Sequence, residues 1–101
     1  MIKHLVMWKL KDSAEGVGKE QNAHKMKAAL EALKHTIPQI KHIEVGVNCI
    51  PSDAAYDIAL YAEFTNEQDL AVYQKHPEHL KAAEFVIKVS ASRAVVDYRT
   101  N

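Results

Sequence analysis

Residues 2–10 alternate without a break. Ile2, His4, Val6, Trp8 and Leu10 fall on one side, and Lys3, Leu5, Met7 and Lys9 fall on the other. A period of two rich in branched and aromatic side chains reads as a strand, because successive residues of a strand point to opposite faces. Both sides carry apolar residues, so the sheet that holds this strand must be covered, at least in part, on both faces. Every later element has to be fitted to that demand.

From about residue 19 to residue 36 the period lengthens. Met26, Ala29, Leu30, Leu33 and Ile37 follow helical spacing, with Lys25, Lys27, Glu31 and Lys34 opposite. This predicts an amphipathic helix that stops at Pro38, since the residue before a proline is pushed out of the helical region. A second strand is expected over 40–48, where Ile43, Val45 and Val47 alternate with His42, Glu44 and Gly46. CIPSDAA then reads as a loop, and 56–64 as a third strand with Tyr56, Ile58, Leu60, Ala62 and Phe64 on one face. Thr65 is the expected cap of the next helix, with Gln68 as its reciprocal capping partner. That helix runs to about Lys75, with Leu70 and Tyr73 inward. Pro77 suits a first helical position, so a new helix is expected over 77–89, with Leu80, Ala83 and Ile87 as its apolar stripe. A last strand covers 93–99.

The order strand, helix, strand, strand, broken helix, strand is the split β-α-β of ferredoxin-like α+β folds, an antiparallel sheet with its helices on one face. The 101 residues form one expected domain, 1–101, able to bury roughly two-thirds of the surface of its unfolded chain. With helices on one face only, the apolar residues of the other face need a partner. A second copy supplies one, so a homodimer with its sheets face to face is expected. Thirteen basic residues balance thirteen acidic ones, which leaves no basic stripe for nucleic acid or an anionic membrane. The single cysteine, Cys49, has no internal disulfide partner and no histidine beside it. It reads as an inert thiol in a reducing, cytoplasmic setting. The first twelve residues, interrupted by Lys3, His4 and Lys9, read as neither a signal peptide nor a membrane span.

The segments MIKHLVMWKLKD, IPQIKHIEVGVN, YDIALYAEF, YQKHPEHL and AVVDY stand in the order and spacing of the stress-responsive A/B barrel family. The resemblance spans essentially the whole chain. It implies a ferredoxin-like protomer that dimerises into an α+β barrel. The family includes stress-associated plant proteins, and one plant member cyclises a linear polyketide by an intramolecular aldol reaction. In that member a histidine and a tyrosine act in a pocket between sheet and helices. The resemblance carries that pair onto His79 and Tyr73, and a further pocket histidine onto His4. Two polar pocket positions of the cyclase are apolar here, Ile58 and Leu30, which makes the pocket more apolar and argues against the same substrate. With His4 and Trp8, these two complete the candidate ligand-contacting set.

The residues around the break also carry a chemistry of their own, apart from any resemblance. His79 would lie in the first turn of its helix, where free N–H groups and the dipole disfavour imidazolium and leave the neutral form that a general base needs. Tyr73, one turn before the break, could orient His79 or donate to an enolate oxygen. The competing reading is structural: His76 caps the helix, Pro77 begins it, and Tyr73 and His79 hydrogen-bond each other. His4 shares its strand face with Val6 and Trp8, where a buried histidine can be a satisfied core residue or a third group converging on a cavity. Two histidines in H-P-x-H spacing are too few ligands for a metal, and no cofactor is expected. His24, His35 and His42 read as surface residues. Three functions stand at this point. One is an enzyme or binder for a small apolar carbonyl compound. The second is a non-catalytic, stress-related dimeric barrel. The third is a haem-degrading or other monooxygenase, which rests on architecture alone.

Overall fold

The computed structural model describes residues 1–101. The elements run β1 (Ile2–Leu10), β2 (Ser13–Ala14), β3 (Val17–Gly18), α1 (Lys19–Glu31), a 3-10 turn (Ala32–His35), β4 (His42–Val47), β5 (Ile58–Phe64), α2 (Glu67–Lys75), α3 (Pro77–Val89) and β6 (Ser90–Arg99). The main sheet has the order β4-β5-β1-β6, and all its pairs are antiparallel. This is the ferredoxin-like α+β arrangement that the periodicity predicts.

The double-sided alternation of β1 decides which face the helices take. Ile2, His4, Val6, Trp8 and Leu10 are buried, while Met7 and Lys9 on the other side are exposed. The register continues that division across the sheet. On the helix side His4 stands opposite Ala62 and Asp97, and Val6 opposite Leu60 and Val95. On the open side Leu5 stands opposite Tyr61 and Val96, and Lys3 opposite Glu63 and Tyr98. The core therefore lies between sheet and helices. Met26 and Leu30 enter it from α1, Tyr73 from α2, and Val86 and Val89 from α3.

The two sheet edges are treated differently. At the β4 edge the Glu31 carboxylate accepts the Val45 N–H (3.0 Å) and the Lys27 ammonium donates to the Val45 carbonyl. Two side chains of α1 thus occupy backbone groups that would otherwise invite another strand. Lys27 and the Val45 N–H together hold the Glu31 carboxyl below the usual carboxylate range. The β6 edge is longer, and no helix covers it: nearly all its residues are exposed.

Several boundaries differ from the pattern in the sequence. The first helix gives way to a 3-10 turn at Ala32, with the Thr36 and Ile37 N–H groups both bonded to the Leu33 carbonyl. Such tightening satisfies end carbonyls before Pro38. The second strand begins at His42 rather than Ile40, because Ile40 closes a turn onto the Ile37 carbonyl (3.2 Å). The third begins at Ile58 rather than Tyr56, and Asp57 instead takes the Leu10 N–H on its carboxylate (2.7 Å). The last strand starts at Ser90, directly after α3. The short β2–β3 hairpin is absent from the sequence reading. Its turn holds Glu15 at φ 52° and Gly16 at φ 80°, the positive pair that a tight two-residue hairpin requires.

Two corrections concern helices near the site. Asn66, not Thr65, caps α2: its side chain accepts the Asp69 N–H (2.9 Å), so Gln68 is not the third residue of the helix and makes no capping box. The α3 stripe is also rotated. Val86 and Val89 are buried with Ala82 and Phe85 against them, whereas Leu80 and Ile87 are 52% and 73% exposed. The reason is that α3 packs on α1 with one stripe and turns the adjacent line, His79, Ala83 and Ile87, toward a void above the sheet.

The cap assignment has a direct test. Asn66→Ala should lower stability to urea by about 1 kcal/mol, while Thr65→Ala should stay within about 0.5 kcal/mol of the wild type. The reverse order would return the cap to Thr65.

Candidate functional site

Pro77 builds the site by what it lacks. In a continuous helix its N–H would bond the Tyr73 carbonyl, but proline has none, and the chain breaks at His76 with ψ 136°. The His76 N–H takes the Tyr73 carbonyl instead (3.2 Å), and the His76 ring accepts the Glu78 N–H (3.1 Å) as the cap of α3. The Gln74 carbonyl, left without a helical donor, accepts from His79 Nδ1 (3.1 Å). A carbonyl can only accept, so Nδ1 carries the proton and the Nε2 lone pair of neutral His79 is free.

The break turns Tyr73 and His79 onto one wall, with ring centroids 4.5 Å apart. They do not hydrogen-bond each other, and the Tyr73 hydroxyl has no protein partner. The one fully enclosed side-chain polar atom without a partner is Asn22 Oδ1, so the Tyr73 hydroxyl keeps access to open space. His4 rises from β1 beneath them, 6.1 Å from the Tyr73 ring and edge-on to it. Its Nδ1 donates to the Asp97 carboxylate, its direct neighbour across the β1–β6 register. That bond fixes the ring and leaves Nε2 without a protein partner.

All three groups line one cavity of about 460 Å3 between the helix side of the sheet and α1, α2 and α3. The volume falls within the usual range for small-molecule sites. Val6, Trp8 and Leu60 form the floor, Leu30 closes one side, and Ala83, Val86 and Ile87 line the α3 wall. Of the candidate residues, His79, Tyr73, His4, Trp8 and Leu30 meet here. Ile58 does not: it stands opposite Trp8 in the core, and Leu60, two residues on along the same face, takes the cavity position.

Electrostatics separates the roles the groups can play. Burial pushes the Tyr73 hydroxyl up to about 12, against the opposing pull of the Arg93 charge. Tyr73 is therefore a proton donor at neutral pH, not a base. His79 moves the other way. Burial disfavours its imidazolium, the charges of His4, Arg93 and His76 add to that, and the Gln74 carbonyl only partly offsets them. The result is a neutral imidazole with a free lone pair beside a neutral phenol, in an apolar chamber. Such a pair can remove a proton from a bound molecule and donate to the oxygen on which charge then forms.

Two residues of the site escape a reading of the sequence, Asp97 and Arg93. Both lie on the helix side of β6, opposite His4 and Trp8 respectively. The available signal is the alternation of Arg93, Val95 and Asp97, which puts all three on one face. Their partners depend on the β1–β6 register, which alternation alone does not give. No group of three or more His, Cys, Asp or Glu side chains is placed to hold a metal ion. No helix is long and apolar enough to cross a membrane.

Residues 2–100 match the family described as Stress responsive A/B Barrel Domain. Over 100 residues the chain is 29% identical to a stress-response A/B barrel domain-containing protein of Arabidopsis thaliana, covering 97% of this chain and 36% of that relative. The chain thus spans about a third of the length of that curated relative. A dimeric protein of unknown function and ferredoxin-like fold from Bacteroides fragilis NCTC 9343 superimposes with a TM-score of 0.85 at 40% identity, covering 98% of this chain and 95% of that one. A hydroxynitrile lyase from Passiflora edulis superimposes with a TM-score of 0.83, covering 99% of this chain and 93% of that one. At 18% identity it shares the fold alone.

The depressed His79 value gives a prediction with a definite sign. Between the folded value and the ordinary 6.5 the unfolded chain binds more protons, so stability falls as the pH drops through that window and then flattens. An NMR titration should place the His79 midpoint below 6.5, and His79→Gln should remove its share of the acid-side loss of stability. A midpoint at or above 6.5 would contradict the half-buried, uncharged ring.

Proposed function

The chain belongs to the stress-responsive A/B barrel family, and from that membership we propose that it binds a small apolar carbonyl compound under α3 and abstracts a proton beside the carbonyl. One observation carries the reading: His79, Tyr73 and His4 converge on one apolar cavity, and each presents an atom that no protein group occupies. A junction kept only for packing would pair those atoms with one another.

The step follows from the chemistry of each group. His79 Nε2 takes the proton, and the electron pair left on carbon moves into the carbonyl to give an enolate. The Tyr73 hydroxyl donates to the enolate oxygen. His4, held by Asp97, supplies a second polar anchor. In the aldol form the enolate carbon attacks a second carbonyl of the same molecule, and the imidazolium returns its proton to the new alkoxide. Leu30 and Leu60 keep the chamber apolar, where a donor aimed at developing charge is worth most.

The assembly is part of the proposal. The open face of the sheet carries Met7, Val96 and Tyr98, all exposed, with Leu5 and Tyr61 between them. A contiguous apolar face of this kind on a small chain asks for cover. The Bacteroides fragilis relative, 40% identical, is described as dimeric. A homodimer with these faces together meets the demand that β1 makes from the start.

Two measurements test the reading. Proton–deuterium exchange beside the carbonyl of a panel of apolar ketones and β-diketones, followed by NMR, should be accelerated by the wild type. His79→Ala should reduce it by roughly a hundredfold or more and Tyr73→Phe by roughly tenfold or more. Because the Tyr73 hydroxyl has no protein partner, Tyr73→Phe should leave stability within about 1 kcal/mol. Unfolding of both variants, or exchange that survives both, would count against the site. In sedimentation, the wild type should run at twice 11.4 kDa and Val96→Asp should shift it toward the monomer. A wild-type monomer at micromolar concentration would remove the dimer.

A further inference from the structure

Arg93 is the charged side chain on the cavity wall for which the chemistry above has no use. It stands opposite Trp8 in the β1–β6 register, four residues along β6 from Asp97. At about 3.3 Å per residue, that is roughly 13 Å of backbone away from the His4 end of the floor. The other charged groups on this face of β6 are engaged: Asp97 holds His4, and Arg99 pairs with Glu67 (2.9 Å). Arg93 takes part in none of the ion pairs of the protein. Its charge nevertheless reaches into the chamber, where it opposes protonation of His79 and favours ionisation of Tyr73.

The lining contains no carboxylate to balance that charge. Ser90, also on the wall, donates its hydroxyl to the Val86 carbonyl. The chamber is thus apolar along its length, polar and proton-handling at the Tyr73–His79–His4 end, and cationic at the Trp8 end. A neutral carbonyl compound would use the first two features and leave Arg93, an exposed residue of β6, paired only with water. We propose that the ligand is an acid, with a carboxylate on Arg93, an apolar middle over Trp8 and Leu60, and its carbonyl at Tyr73 and His79. This rests on the cavity being a small-molecule site, as proposed above, and it adds the chemical class of the ligand and its orientation. A single guanidinium suits a carboxylate, which it can grip through two parallel N–H donors.

The experiment uses the only tryptophan of the chain, Trp8, which is itself part of the wall. Its emission is followed while the full chain is titrated with octanoate or with octanamide, which matches it in length but is uncharged, at neutral pH and low ionic strength. Octanoate should bind at least tenfold more tightly than octanamide. Arg93→Gln should abolish that difference, and Arg93→Lys should keep part of it. Equal binding of acid and amide by the wild type, or a preference that survives Arg93→Gln, would overturn the role of Arg93 without touching the cavity reading. If neither probe alters Trp8 emission, both the ligand class and the small-molecule site fall together.

Discussion

One missing hydrogen organises the functional half of this molecule. Pro77 has no N–H to give the Tyr73 carbonyl, so the helix that begins at Glu67 cannot run on through Val89. Several backbone groups released by the break find other partners, which are side chains or the turn itself. His76 caps the new helix, and His79 satisfies the Gln74 carbonyl. In the proposed reaction the second bond has a further use, because it fixes the tautomer of His79 and leaves the other nitrogen free. Backbone satisfaction and the chemistry of the site are met by the same contact. A reading that treats the junction as purely structural therefore explains His76 well but leaves the free Nε2 of His79 and the unpartnered Tyr73 hydroxyl without a reason.

The second constraint is the two-sided strand β1. Its buried face supplies both the floor of the cavity and His4, and its other face begins the apolar surface that includes Met7 and Val96. The candidate site and the proposed dimer face are thus tied to one nine-residue segment, read in opposite directions. The sheet edges add to the asymmetry. Glu31 and Lys27 occupy the edge of β4, while β6 keeps a long uncovered edge and presents Asp97 and Arg93 to the helix side.

The fold was legible because its signals are local. The alternation of β1, the helical spacing of Met26, Leu30 and Leu33, and the prolines at 38 and 77 each act within a few residues. Tyr73, His79 and His4 could be named for the same reason, through the break and the face of β1, together with the family resemblance. What could not be read depends on distant registration. Asp97 meets His4 only because β6 pairs with β1 in one register, and Arg93 reaches the wall by the same pairing. The α3 stripe was misplaced because Leu80, Ala83 and Ile87 look like a core face by spacing. Packing against α1 selected Val86 and Val89 instead and left Ala83 and Ile87 on the cavity. Thr65 lost the cap to Asn66 by one residue, a difference that tertiary geometry decides.

The most direct test of the central claim is a crystal structure of the protein with an apolar carbonyl compound bound. The carbonyl oxygen should lie within about 3 Å of the Tyr73 hydroxyl, with the acidic carbon facing His79 Nε2. A ligand bound elsewhere, or a chamber closed by side chains so that Tyr73 and His79 pair with each other, would contradict it.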